Sequence, residues 1–184
     1  MDVLYLEMQQ HVSIARTGLL ASVPLISSIF GALAGGYVSD RIAAGGMGLL
    51  ASRKFPSVAG LLVSGAFTAL AMTATSGGQA VLYMSAAMFF LSAGITAKWT
   101  LITAVAPQSY CTSAASIQNF GGYIGGTVSP IATGFVVDST GSFVIALAIG
   151  SVITVLGACI LLFMLRSPIT VEDLESTPAV ALAH

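Results

Sequence analysis

Charge is what this sequence is short of. Lys, Arg, Asp and Glu make up 7% of its 184 residues, against about 25% in soluble domains. A soluble chain of this length needs far more polar surface to cover its core, so an ordinary soluble domain is excluded. Lipid must be the solvent for most of the chain. The net charge of -1 comes without any basic cluster, which excludes a nucleic-acid partner. Cysteine is almost as scarce. Cys111 and Cys159 form neither a disulfide framework nor a CxxC site, and they are read as ordinary small residues. His11 and His184 sit in the end segments without metal-ligand spacing, so no metal or other cofactor is implied. GxSxG, P-loop and HExxH patterns are missing, and the glycines around Gly121 lack the strand context of a dinucleotide site. With almost no convergent polar chemistry, the chain is not read as an enzyme. Met1 to Arg16 carries Asp2 and Glu7 and lacks the charged-then-apolar pattern of a signal peptide.

What is present is apolar length. Hydrophobic residues reach 56% and mean hydropathy is +0.95. Five apolar runs stand out, Thr17 to Val38, Ser57 to Thr75, Ala80 to Val105, Ser113 to Val137 and Ser142 to Leu165. Each is long enough to cross a hydrocarbon core about 30 Å thick as an α-helix, and in lipid the backbone must pair within each segment. The fold class is therefore all-α integral membrane, with about five transmembrane helices. Short joints separate them at Ser39 to Pro56, Ser76 to Gln79, Ala106 to Thr112 and Asp138 to Gly141. Arg41, Arg53 and Lys54 fall in the first joint and Arg166 follows the last run. With five crossings these lie on one side, opposite Arg16, and the excess of basic residues marks the cytoplasm. The expected topology has the N-terminus outside and the C-terminus cytoplasmic, in a plasma (inner) membrane. Residues 1–16 are read as the remnant of a preceding helix and its outer loop, 17–166 as the transmembrane region, and 167–184, with two prolines and three acids, as a disordered cytoplasmic tail.

Small residues suggest where helices meet. Gly31 with Gly35 and Ala32 with Gly36 form one doubled pattern at four-residue spacing. Gly121 with Gly125 and Gly122 with Gly126 form a second. Such spacing lets backbones approach closely in membranes. Pro24 and Pro130 lie inside apolar runs, where a proline frees a carbonyl and permits a kink.

Two stretches carry a family resemblance. One is Gly35-Gly36-Tyr37-Val38-Ser39-Asp40-Arg41, continuing to Arg53-Lys54. The other runs from Ala106-Pro107 through Ser116-Ile117-Gln118-Asn119-Phe120-Gly121-Gly122 and Gly125-Gly126 to Pro130, Gly134 and Asp138 to Phe143. Together they resemble the C-terminal half of a major facilitator superfamily transporter, in the anion:cation symporter branch that carries sugar acids. The first is similar to the loop motif between helices eight and nine, the second to helix eleven and the turn after it. The resemblance covers Arg16 to Arg166 and implies helices 8–12 of a twelve-helix transporter. A missing N-terminal half, holding the family's main anion-binding and proton-coupling groups, is implied as a partner.

Few residues are left to carry chemistry. Lys98 lies inside an apolar run, where an ionisable group is costly and marks a functional site by default. Its ammonium suits an organic anion; the plainer alternative is a lysine snorkelling toward the interface past Pro107. Trp99 and Thr96 are three apart and share a helix face, offering a flat apolar surface and a hydroxyl to a sugar acid. Asn119 and Gln118 either bind substrate or bond a neighbouring helix; the resemblance places Thr96, Trp99 and Asn119 at substrate positions, and Gln118 is read as packing. Asp40 and Arg41 belong to the loop motif and are read as a gating latch, with interfacial anchoring as the alternative.

The expected function is secondary active transport of an organic anion, a sugar acid above all, by alternating access. A proton or sodium ion would be the coupling ion, and the chain would act in the bilayer as part of a larger or split transporter. The alternative is a truncated, non-transporting membrane protein or interaction partner.

Overall fold

The computed structural model describes residues 14–169. Five helices follow one another, α1 (Ile14–Ala44), α2 (Leu49–Ala71), α3 (Gly77–Val105), α4 (Cys111–Thr140) and α5 (Phe143–Met164), with a short 3-10 turn at Gln108–Tyr110 between α3 and α4. All five spans are long and apolar enough to cross a membrane. The expected tail beyond 169 and most of the expected remnant before α1 lie outside the described residues.

The first joint is much shorter than the sequence implies. α1 continues to Ala44 and α2 begins at Leu49, so the connection shrinks to Gly45–Gly48, turned by Gly46 at φ 87°. Pro56 suggests a helix boundary, yet α2 runs straight through it. Proline has no N–H to give the carbonyl four residues back, here that of Ser52. The hydroxyl of Ser39 on α1 donates to that carbonyl instead, at 3.1 Å. A tertiary hydrogen bond therefore satisfies the carbonyl that the proline leaves open.

α3 is the centre of the bundle, with α1 and α2 packed along it and α5 packed on α2. The core is built from the smallest side chains. A Cβ added to Gly31 or Gly35 would collide with the α3 backbone at Phe89 and Ala93, so the first doubled glycine pattern is a close-packed seam. A second seam, at Gly60 and Gly94, joins α2 to α3: a Cβ on Gly60 would sit 2.7 Å from the Cα of Gly94. At such approach, serine hydroxyls reach across. Ser27 donates to the Ser85 carbonyl at 2.8 Å and Ser151 to the Gly65 carbonyl at 2.9 Å. Interhelical bonds of this kind contribute about 0.6–2 kcal/mol each. Ser39, Ser52 and Ser57 are fully buried.

α4 is held differently. None of its residues is buried, and a Cβ at Gly121, Gly122, Gly125 or Gly126 would meet nothing within 4 Å. The second doubled glycine pattern makes no packing seam within this chain. The helix touches α5 and α3 only lightly and leaves its broad face open. Where α3 begins, Ser76 accepts from the Gln79 N–H at 3.3 Å while the Gln79 side chain accepts from the Thr75 N–H at 3.0 Å, a reciprocal N-terminal cap. Gly141, at φ 67°, ends α4 in the left-handed region, as helix stops commonly require.

Candidate functional site

The α3–α4 hairpin sets the depth of the candidate residues. Lys98 lies seven residues before the end of α3, and Gln118 lies seven residues after the start of α4. At about 1.5 Å per residue, both stand roughly 10 Å from the turn. Trp99 and Asn119 occupy almost the same level. Of these four, Lys98 and Gln118 line one pocket between the helices, while Trp99 and Asn119 are exposed beside it.

Helix geometry divides the roles on α3. Ala97 is completely buried and Trp99, two residues on, is 40% exposed, as expected when successive side chains are turned by about 100°. Thr96 and Lys98 flank Trp99 on either side. Thr96 turns toward α1, where a Cβ added to Gly36 would lie 3.8 Å from its methyl, and its hydroxyl donates to the Ser92 carbonyl at 3.0 Å. Lys98 turns toward α4 and α5. Thr96 and Lys98 are thus separated by the girth of the helix, with Trp99 between them.

Lys98 lines a pocket of about 240 Å³ whose walls include Leu101, Val105, Gln118, Leu161 and Leu165. Ile169 closes its inner end, its N–H donating to the Val105 carbonyl at 2.9 Å. Gln118, read as packing from sequence, contributes a side-chain Nε2 that is buried without a hydrogen-bond partner. Asn119, its neighbour, is exposed on the open side. Residue type alone does not separate these two amides; their angular position on α4 does.

Asp40 and Arg41 part company at the end of α1. Asp40 bonds Arg53 at 2.6 Å, and the same guanidinium nitrogen donates to Ser39 Oγ at 3.0 Å. Arg41 lies over the Tyr37 ring, 5.1 Å from its centroid, a cation–π arrangement. Lys54 donates to the Leu165 carbonyl at 2.5 Å, tying α2 to the end of α5. Arg53 and Ser39 are the partners that sequence reading missed, although Arg53 was visible in the same loop motif. Among the described residues no cluster of His, Cys, Asp and Glu is arranged to hold a metal ion.

This architecture, a glycine-seamed helical bundle with a basic end and one mid-helix lysine beside an open groove, agrees with the comparison to known families. The model of the Major Facilitator Superfamily matches residues 3–182. The chain belongs to that superfamily. It is an all-helical integral membrane protein of a transporter family. Among curated relatives, a probable L-galactonate transporter of Escherichia coli strain K12 is 38% identical over 165 residues, 90% of this chain and 36% of the relative. A hexuronate transporter of Bacillus subtilis is 29% identical over 76% of this chain and 33% of its own length. A probable sulfoacetate transporter of Cupriavidus necator is 27% identical over 98% of this chain and 41% of its own. The chain spans between a third and two fifths of these superfamily members.

Proposed function

We propose that this chain forms one wall of a secondary transporter for an organic anion, with a sugar acid such as an aldonate or hexuronate as the substrate. The observation that carries this reading is the α3–α4 groove. Lys98 stands about 10 Å inside α3 from the α3–α4 turn, on the same side of the bundle as the basic end, and faces an apolar pocket, with the exposed Trp99 next to it in sequence. A cation kept at such depth is costly and is repaid by an anionic ligand. Trp99 would present its indole to the carbon skeleton, Asn119 would bond hydroxyls, and Thr96 would border the same face toward α1. The names of the relatives point the same way, since galactonate, hexuronate and sulfoacetate are all organic anions.

In this reading the remaining wall of the cavity comes from further protein, the two walls rock about the site to give alternating access, and a proton or sodium gradient drives uptake. The basic end, with Arg41, Arg53, Lys54 and Arg166, lies in the cytoplasm of an inner-membrane protein. Asp40 and Arg53 latch α1 to α2 there, and Arg41 anchors the end of α1. The test is uptake of labelled L-galactonate and glucuronate by cells expressing the natural gene product that contains this chain. Accumulation that collapses with a protonophore or on removal of sodium is expected. Uptake no greater than in vector controls, with the protein abundant in the membrane, sinks the reading and leaves a non-transporting membrane protein.

A further inference from the structure

Beyond α5 the chain turns back on the bundle. Leu165 leaves the helix in an extended conformation, at φ -90° and ψ 94°, and Pro168 disfavours helix for the residue before it. The segment then crosses the basic end, and the Ile169 N–H donates to the Val105 carbonyl at 2.9 Å. That carbonyl is among the last of α3, which have no partner within the helix. Leu165 and Ile169 both line the pocket beside Lys98, so residues 165–169 lie across its mouth as a strap. The two ends of the strap are held unequally. The Leu165 carbonyl accepts from the Lys54 ammonium, a charge-assisted bond about twice as strong as a neutral one. At Ile169 the tie is a neutral backbone bond, and the side chain is 45% exposed.

We infer that this strap is a lid on the Lys98 pocket, hinged at Leu165 and plugged by Ile169, which opens at the basic end by releasing the Val105 carbonyl. The pocket, about 240 Å³, lies close enough to the interface to need a cover. Leu101 in its wall is four residues before the end of α3, roughly 6 Å deep, yet only 4% exposed. Lifting the strap breaks one neutral bond and moves a half-exposed side chain, which is a local opening of low cost. Meanwhile α1, α2 and α3 stay fastened by the seams at Gly35 and Gly60. Access to Lys98 is controlled in this way whatever ligand the pocket takes.

The experiment is thiol labelling of the purified natural gene product containing this chain, in lipid nanodiscs that leave both faces accessible, with its native cysteines replaced. Leu101→Cys is the reporter. The probe is the anionic reagent 2-sulfonatoethyl methanethiosulfonate, which reacts with the thiolate that forms where water reaches. With the strap intact, Leu101→Cys is expected to react far more slowly than Tyr110→Cys on the exposed α3–α4 turn. Ile169→Pro removes the N–H, and Ile169→Ala shortens the plug. Each is expected to speed labelling of Leu101→Cys about five- to tenfold, the equilibrium factor for losing one hydrogen bond or a comparable apolar contact. Ser52→Cys, completely buried three residues into α2, reports general loosening and is expected to keep its rate. Should Ile169→Pro fail to accumulate, Ile169→Ala alone decides. Labelling of Leu101→Cys that is unchanged in the Ile169 variants, or already as fast as Tyr110→Cys with the strap intact, overturns the lid. So does an equal rise at Ser52→Cys, which would make Ile169 a structural cap.

Discussion

At the scale of single residues, the most informative group is a hydroxyl that sequence reading passed over. Ser39 sits inside the loop motif, where Asp40 and Arg41 attract notice because they are charged. The structure gives Ser39 the more exacting task. It donates to the Ser52 carbonyl that Pro56 leaves open, and it accepts from Arg53. The Asp40–Arg53 pair above it is 70% exposed on the Asp40 side, and exposed ion pairs contribute only about 0–1 kcal/mol. Removing the buried hydroxyl leaves an unsatisfied carbonyl, which costs about 1–3 kcal/mol. Ser39→Ala is therefore expected to lower stability more than Asp40→Asn, measured as thermal unfolding of the purified protein in one detergent. The cause can be isolated. Pro56→Ala restores the missing N–H within α2, so Ser39→Ala should cost distinctly less in that background. Equal costs in both backgrounds would show that the proline gap is not what Ser39 fills.

At the scale of helices, the sequence reveals number and type but not every boundary or neighbour. Five apolar runs are legible because lipid forces each into a helix of spanning length, and five helices are found. The boundary between α1 and α2 is illegible because Pro56 looks like a stop, whereas α2 carries it inside and the carbonyl it leaves open is met by Ser39, thirteen residues earlier. The two doubled glycine patterns look alike in sequence, and only one is a seam within this chain. Glycine spacing records the capacity for close approach, and a partner helix must supply the rest. The same limit applies to the site. Lys98, Trp99 and Asn119 are conspicuous by type, whereas the difference between Gln118 and Asn119 is one of angle around α4. The seams themselves can be tested. Gly60→Val drives a side chain into Gly94, with its Cβ at 2.7 Å from that Cα, and overpacking of this kind costs about 1–3 kcal/mol. Gly125→Val meets nothing within 4 Å and carries only the intrinsic helix terms. Gly60→Val should lower the thermal unfolding midpoint of the purified chain by several degrees more than Gly125→Val. A larger loss at Gly125 would mean that α4 is packed against something in a second copy or another protein.

At the scale of the whole molecule, the placement of charge decides how the bundle sits in its bilayer. Arg53 pairs with Asp40 at the junction of α1 and α2, next to Arg41, and Lys54 reaches from α2 to the end of α5, just before Arg166. Four basic residues thus gather at one end, brought together from segments more than a hundred residues apart. At the opposite end stands Asp138, near the close of α4. Asymmetry of this sign is expected to put the basic end in the cytoplasm, because short loops rich in lysine and arginine are retained there. Alkaline phosphatase, active only after export, reports the side directly when fused at a chosen joint. Fusion after Met47 should be inactive and fusion after Thr75 active, with the order reversed for a fluorescent protein that matures only inside. The charges responsible are separable from the fold. Replacing Arg41, Arg53 and Lys54 by glutamine removes the retention signal from the first joint while Arg166 still holds the last, so a mixed topology at Met47 is expected. Uniform activity of the phosphatase after Met47 in the unaltered chain would invert the bundle. Lys98 and Gln118, only about 10 Å from the α3–α4 turn, would then open toward the outer rather than the inner face of the membrane.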